Sequence, residues 1–156
     1  MQYLEVKKGT IIQGKGILNS KVYVVKKGLL RSYTVDEKGK EHIFMFAPEN
    51  WVIADNQSGD VPTDLYIDAI EDSLVGVLPK DLKREEKNVS AFIKRLSVLQ
   101  KRIIMLMSAS AIERYEHFEQ TYPDIIKRVP QKMIASYLGI TPEALSKVKS
   151  ERYRKK

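Results

Sequence analysis

Over the first eighty residues apolar and polar positions alternate in short runs. Beyond them, apolar positions recur every three or four residues. Residues 4–6, 10–12, 22–25, 30–35, 41–46, 51–54, 66–70 and 74–78 are rich in β-branched and aromatic side chains and read as strands. Along 41–46, His42, Phe44 and Phe46 alternate with Ile43 and Met45. Turn residues separate the runs: Gly14 and Gly16, Gly28, Asp36-Glu37-Lys38-Gly39, Pro48-Glu49-Asn50, a polar loop over 55–63, and Glu71-Asp72-Ser73. Short strands with regular turns predict a sandwich or barrel.

The helical period begins near Pro79-Lys80-Asp81-Leu82, which reads as a helix start. Asn88 is a suitable N-cap for a long helix over 89–108. Phe92, Leu96, Leu99, Ile103 and Leu106 follow one another at spacings of four and three, the a/d seam of a coiled coil, broadened by Val89, Ile93 and Met107. That stripe suits a second copy of the chain or the chain's own roll. Ser108-Ala109-Ser110 breaks the stripe as a hinge. A helix over 111–122 follows, with Ile112, Tyr115, Phe118 and Glu119 marking its period and Pro123 ending it. Arg114 and His117 are expected outward or at its edge.

Residues 131–150 read as two short helices joined by a tight turn. Ile134, Ala135 and Leu138 share a face of the first helix. Gly139 suits a left-handed helix end and Ile140 plugs the turn. Thr141 is an N-cap, Pro142 occupies the first helical position and Glu143 lies in the first turn. Leu145 and Val148 continue the inward face. This is a helix-turn-helix pattern, whose second helix enters the DNA major groove in proteins that use it so. The outward residues Thr141, Pro142, Glu143, Ser146, Lys147 and Ser150 are the candidate base contacts; lysine donates to guanine O6/N7 and glutamate accepts from cytosine N4.

Charge sharpens this picture. The 156 residues carry a net charge of +7. Residues 1–79 hold 9 Lys/Arg against 11 Asp/Glu, whereas residues 80–156 hold 18 against 9. The excess gathers around the helix-turn-helix, as a polyanion-binding part requires. Lys127, Arg128, Gln131, Lys132, Lys149, Arg152 and Arg154 are the candidate phosphate contacts, and the basic tail extends to Lys155 and Lys156.

Other chemistry is thinly represented. No cysteine is present, which excludes disulfides, a thiolate zinc site and a cysteine-held iron–sulfur cluster. The two histidines, His42 and His117, fall in different predicted parts, too few for a cupin-type metal site. Asp55, Asp60 and Asp64 match no EF-hand spacing. No Gly-rich phosphate loop, GxSxG or nucleophile–base pair is found. The expectation is no metal, no cofactor and no catalytic residue. The N-terminus lacks the apolar stretch of a signal peptide and no apolar run is long enough to span a membrane, so a cytoplasmic protein with no membrane partner is expected.

The stretch VYVVKKGLLRSYTVDEKGKEHIFMFAPENW, then a loop, then YIDAIEDSLVGVLPKDL, resembles the cyclic-nucleotide-binding jelly roll of the Crp/Fnr transcription-regulator superfamily. Gly28 stands where that family places a glycine after Y-x-V-x-x-G. With the long helix and the helix-turn-helix, the resemblance covers nearly the whole chain. It implies an α+β chain: a jelly roll over 1–80, a connecting and dimerisation helix over 81–110, and a DNA-binding domain over 111–156. It further implies a homodimer, joined through Phe92, Leu96, Leu99, Ile103 and Leu106, that regulates transcription on double-stranded DNA, with RNA polymerase as a further expected partner.

Three departures modify what the resemblance implies. Cyclic-nucleotide binders of the family carry Gly-Glu and then Arg-Ser or Arg-Thr in the ligand loop. Here the loop reads WVIADNQSGDVPTDLYIDAI, without Gly-Glu, and no arginine lies between Arg31 and Arg84. Asp55, Asp60 and Asp64 would repel a phosphate, so a cyclic nucleotide is not the expected effector, and the residues name no other. Second, the chain ends at Lys156, so the family's β-hairpin wing is expected to be missing or vestigial. Pro142-Glu143-Ala144-Leu145-Ser146-Lys147 also differs from the family's Arg-Glu-Thr-Val-x-Arg, which implies a different target sequence. Two rival readings are a sensing or scaffold protein whose helix-turn-helix binds a protein partner, and a small β-roll enzyme.

Overall fold

A computed structural model of the chain describes residues 1–80 and 89–154. They fall in two compact units, Met1–Leu82 and Lys83–Lys156. The predicted helix start at 79–82 and the Asn88 cap lie largely outside the described residues; Pro79 itself ends a strand.

The described residues of the first unit form eight strands: β1 (Gln2–Val6), β2 (Ile11–Gln13), β3 (Lys21–Lys27), β4 (Leu30–Val35), β5 (Glu41–Ala47), β6 (Val52–Ala54), β7 (Tyr66–Ala69) and β8 (Ser73–Pro79). They form two antiparallel sheets, ordered β1-β8-β3-β6 and β2-β7-β4-β5. The period-two pattern decides which side chains point inward. Val25 faces Val75 across β3 and β8, and Leu30 faces both Ala47 and Ala69. With Val6, Tyr23, Ile53 and Ile67 these residues make the core of the roll.

Gly28 turns the chain between β3 and β4 at φ +93°, and a Cβ there would lie 2.3 Å from Ser73 Oγ and 2.7 Å from the Asp72 carbonyl oxygen. Only glycine fits this crossing. One alternation differs from expectation. Ser32 pairs with Met45 but Tyr33 pairs with Ile43, so Phe44 is an extra residue, a β-bulge. Ile43 and Phe46 are consequently both buried, while Phe44 is exposed.

The second unit contains α1 (Val89–Ser108), α2 (Ala111–Thr121), α3 (Gln131–Leu138) and α4 (Pro142–Arg154). The break between α1 and α2 is enforced by a capping box: Ser110 Oγ accepts the Glu113 N–H, and the Ser110 N–H donates to the Glu113 carboxylate at 2.7 Å. Phe118, Tyr122 and Tyr137 pack with ring centroids 5.3 to 5.6 Å apart, joining α2 to α3. Ile125, Ile134, Leu138 and Leu145 are fully buried around them. Each such side chain contributes about 1.5–3 kcal/mol through burial.

Candidate nucleic-acid interface

The turn between α3 and α4 is built from the residues that the pattern singles out. Ile134, Ala135, Leu138, Leu145 and Val148 are buried. Gly139 sits at φ +65°, and its N–H reaches back to the carbonyls of Ala135 and Ser136, while the Ile140 N–H bonds Ala135 at 3.1 Å. Ile140 is half-buried in the turn. Thr141 Oγ1 then accepts the Ala144 N–H at 3.2 Å, starting α4. Glu143 is held below the usual carboxylate range by its own backbone N–H and by Thr141, so it stays an acceptor at neutral pH.

On α4 the apolar positions 145 and 148 face inward. Thr141, Pro142, Glu143, Ser146, Lys147 and Ser150 carry the outward side: Thr141, Pro142, Glu143, Ser146 and Lys147 are exposed, and Ser150 is exposed at the far end of the same row. Positions 142, 146, 150 and 154 are spaced by four, so Arg154 continues it.

No protein-family model matches the chain, and no curated protein matches it. Solved structures do. FixK2 from Bradyrhizobium japonicum superposes with a TM-score of 0.84 at 20% identity, over 99% of this chain and 85% of that one. TTHA1359, a CRP/FNR-family transcriptional regulator from Thermus thermophilus, gives 0.77 at 18% identity, over 99% and 87%. A CooA mutant from Carboxydothermus hydrogenoformans gives 0.68 at 18% identity, over 98% and 76%. The fold is that of the Crp/Fnr transcription regulators.

The remaining expected residues can be placed on this Crp/Fnr fold. Lys127, Gln131, Lys132 and Arg154 are exposed, and Arg128 and Lys149 lie on the same basic segment. The N-terminus of α3 has Pro130 as its cap residue with no side-chain cap, and the Met133 N–H bonds the Pro130 carbonyl at 2.9 Å beside Gln131 and Lys132. Arg152 departs from expectation. It follows Leu145 and Val148 by seven and four residues, which puts it on the inward row. There it pairs with both Glu116 and Glu119 of α2, the latter at 2.6 Å. Its guanidinium ties α4 to α2, a structural role that its charge alone did not suggest. Arg114 also departs. It faces carbonyl oxygens of Leu106, Ala109 and Leu138 rather than solvent. His117 is half-buried and its ring lies beside the Thr121 hydroxyl.

Of the expected seam on α1, Leu96 and Ile103 are exposed and Leu99 is half-buried, while the side chain of Phe92 lies outside the described residues. Leu106 is half-buried and approaches the turn at Gly139. The exposed stripe therefore runs through Val89, Ile93, Leu96, Ile103, Ile104 and Met107, rotated toward the residues that broaden the seam; Met107 is 80% exposed.

In the roll, the acidic loop is held by its own side chains. Asp55 is 2% exposed. Its carboxylate accepts the backbone N–H groups of Gln57, Asp64 and Leu65 at 2.9 to 3.0 Å. Lys80 donates to the carbonyls of Asp55 and Gln57. Asp60 bonds Ser58 and Asp64 bonds Gln57. The aspartates serve the turn, and no group of metal-binding side chains is found among the described residues.

Sequence pattern gave no sign of the role of Arg31. It is buried on β4, bonded to both oxygens of Asp68 at 2.8 and 2.9 Å and to Glu41 at 2.5 Å, and stacked over Tyr33. Burial alone would lower its pKa; the hydrogen bonds to Asp68 and Glu41 outweigh that and hold it protonated beyond its usual range. Arg31 and Asp68 are cross-strand neighbours thirty-seven residues apart. Only the strand register reveals the pair. No helix among the described residues is long and apolar enough to cross a membrane.

Proposed function

We propose that the chain is a sequence-specific DNA-binding transcription regulator of Crp/Fnr type, not an enzyme, and that it acts in the cytoplasm as a homodimer. The carrying observation is the outward row of α4. Polar and charged side chains that can read base edges stand on a helix held by a left-handed turn, within the most basic part of the chain. The similarity to solved proteins that are themselves described as transcriptional regulators supports the same reading.

In this reading Thr141, Pro142, Glu143, Ser146, Lys147 and Ser150 meet base edges. Lys127, Arg128, Gln131, Lys132, Lys149 and Arg154 meet phosphates. The exposed stripe of α1 supports a homodimer, because a two-fold axis through it would present two reading helices to half-sites one turn of DNA apart. The effector is not a cyclic nucleotide. The Asp55 carboxylate already takes three backbone N–H groups of the loop that would meet the phosphate.

Selection of bound duplexes from a random pool, with no added ligand, tests the reading. The expected outcome is an enriched palindrome with half-sites about 34 Å apart centre to centre. Absence of any DNA binding, with a protein partner captured by the helix-turn-helix instead, would overturn it.

A further inference from the structure

Two helix ends meet at one side chain. Arg114, on the first turn of α2, donates from Nη2 to the Leu106 carbonyl at 2.8 Å, from Nε to the Ala109 carbonyl at 3.0 Å and from Nη1 to the Leu138 carbonyl at 3.1 Å. Leu106 belongs to the last turn of α1. Ala109 belongs to the two-residue break. Leu138 is the last residue of α3, one position before the Gly139 turn. The final carbonyls of a helix have no partner within it and carry the negative end of its dipole. A guanidinium offers five donors in a fixed plane, so one residue can satisfy both ends and set their relative angle.

A second contact acts on the same pair of helices. Arg102, one turn earlier on α1, stacks over the Tyr137 ring at 4.1 Å and reaches the Tyr137 carbonyl at 3.4 Å. Leu106 lies against the turn at Gly139, where its Cδ2 is 3.9 Å from the site a Cβ would occupy. The long helix thus holds α3 by its last turns, and α4 follows α3 after only Gly139, Ile140 and Thr141.

We propose that Arg114 is a positioning residue that locks the long helix to the helix-turn-helix, and so fixes the separation of the two DNA half-sites without touching DNA. The spacing part rests on the dimeric DNA-binding function proposed above; the locking part does not. A charged donor holding a two-residue break closed makes the reading head turn with the long helix instead of swinging about residues 108–110.

The absence of cysteine allows a direct measurement. Lys101→Cys on α1 and Glu151→Cys on α4, both exposed positions, take a single pair of spin labels, diluted with unlabelled protein to suppress signals between copies. The parent sequence should give one narrow distance distribution. Arg114→Lys keeps the charge but loses the fork, and should broaden it while melting stays cooperative. In duplex selection the same variant should keep the half-site bases, relax the preferred spacing, and bind the parent's site on the order of tenfold more weakly, the scale of one lost charged hydrogen bond. Arg114→Ala should act in the same direction. A broad distribution in the parent, or an unchanged distribution in a folded Arg114→Lys protein, overturns the locking. Intact locking with unchanged half-site spacing in the variants overturns the spacing role. Failure of the parent to select any DNA removes the function proposed above, and the spacing role with it, while the label distances still decide the lock.

Discussion

At the scale of single residues, charge alone does not assign a role. Lys147 and Arg152 are both cations on α4, five positions apart. Lys147 stands on the outward row, whereas Arg152 stands on the inward row and is engaged by two glutamates. Their substitutions should therefore separate. Lys147→Ala should cost about 1–3 kcal/mol on a mapped site and relax one base preference, with little change in melting temperature. Arg152→Ala should lower stability by about 1 kcal/mol while leaving the salt dependence of DNA binding as it was. Titrations of each variant at several salt concentrations, beside thermal melts, distinguish the two. Equal effects on both readouts would show that the inward and outward rows are not functionally distinct.

At the scale of elements, the turns are the most demanding parts of the chain. Gly139→Ala meets only ordinary contacts, so its cost is the left-handed backbone, about 1–2 kcal/mol. Gly28→Ala also drives a Cβ into the backbone of residues 72 and 73, and should lose more in chemical denaturation. Leu145→Ala leaves a cavity between α4 and its neighbours and should cost about 2–5 kcal/mol. These elements were legible because their causes are local: a period of two, a period near 3.6, a cap, a glycine. The bulge at Phe44 was not legible, because an unpaired residue is defined by the partner strand. Nor were the Arg31–Asp68 pair and the three carbonyls around Arg114, since register and tertiary packing bring those groups together. The outward row of α4 was readable from spacing alone, and the inward turn of Arg152 was readable in principle by extending the Leu145–Val148 row one turn further.

At the scale of the whole molecule, several exposed carboxylates share one titration behaviour. Asp36 is held low by His42 and the backbone N–H groups of Lys40 and Lys38, Asp72 by the Lys8 N–H and Lys7, Asp60 by Ser58, and Glu113 by Ser110. Each has a lower pKa folded than unfolded. Its contribution is complete above the unfolded carboxylate range and is lost as pH falls through the folded value. Stability should hold at neutral pH and decline below about pH 4, which urea midpoints across pH will show; a midpoint that rises on acidification would contradict it. Oligomeric state is also testable at this scale. In the proposed homodimer, Leu96→Asp together with Ile103→Asp should give a monomer by sedimentation, because two aspartates on the exposed stripe of α1 would keep it from a second copy. The division of α4 into two rows has a further consequence, for descent. The positions that keep the domain folded, Leu145, Val148 and Arg152, are separate from those that face outward, Ser146, Lys147 and Ser150. Substitutions in the outward set can accumulate with little penalty in folding, so, in the DNA-reading role proposed above, duplicated copies of such a chain are free to diverge toward new operators while remaining the same protein in every other respect.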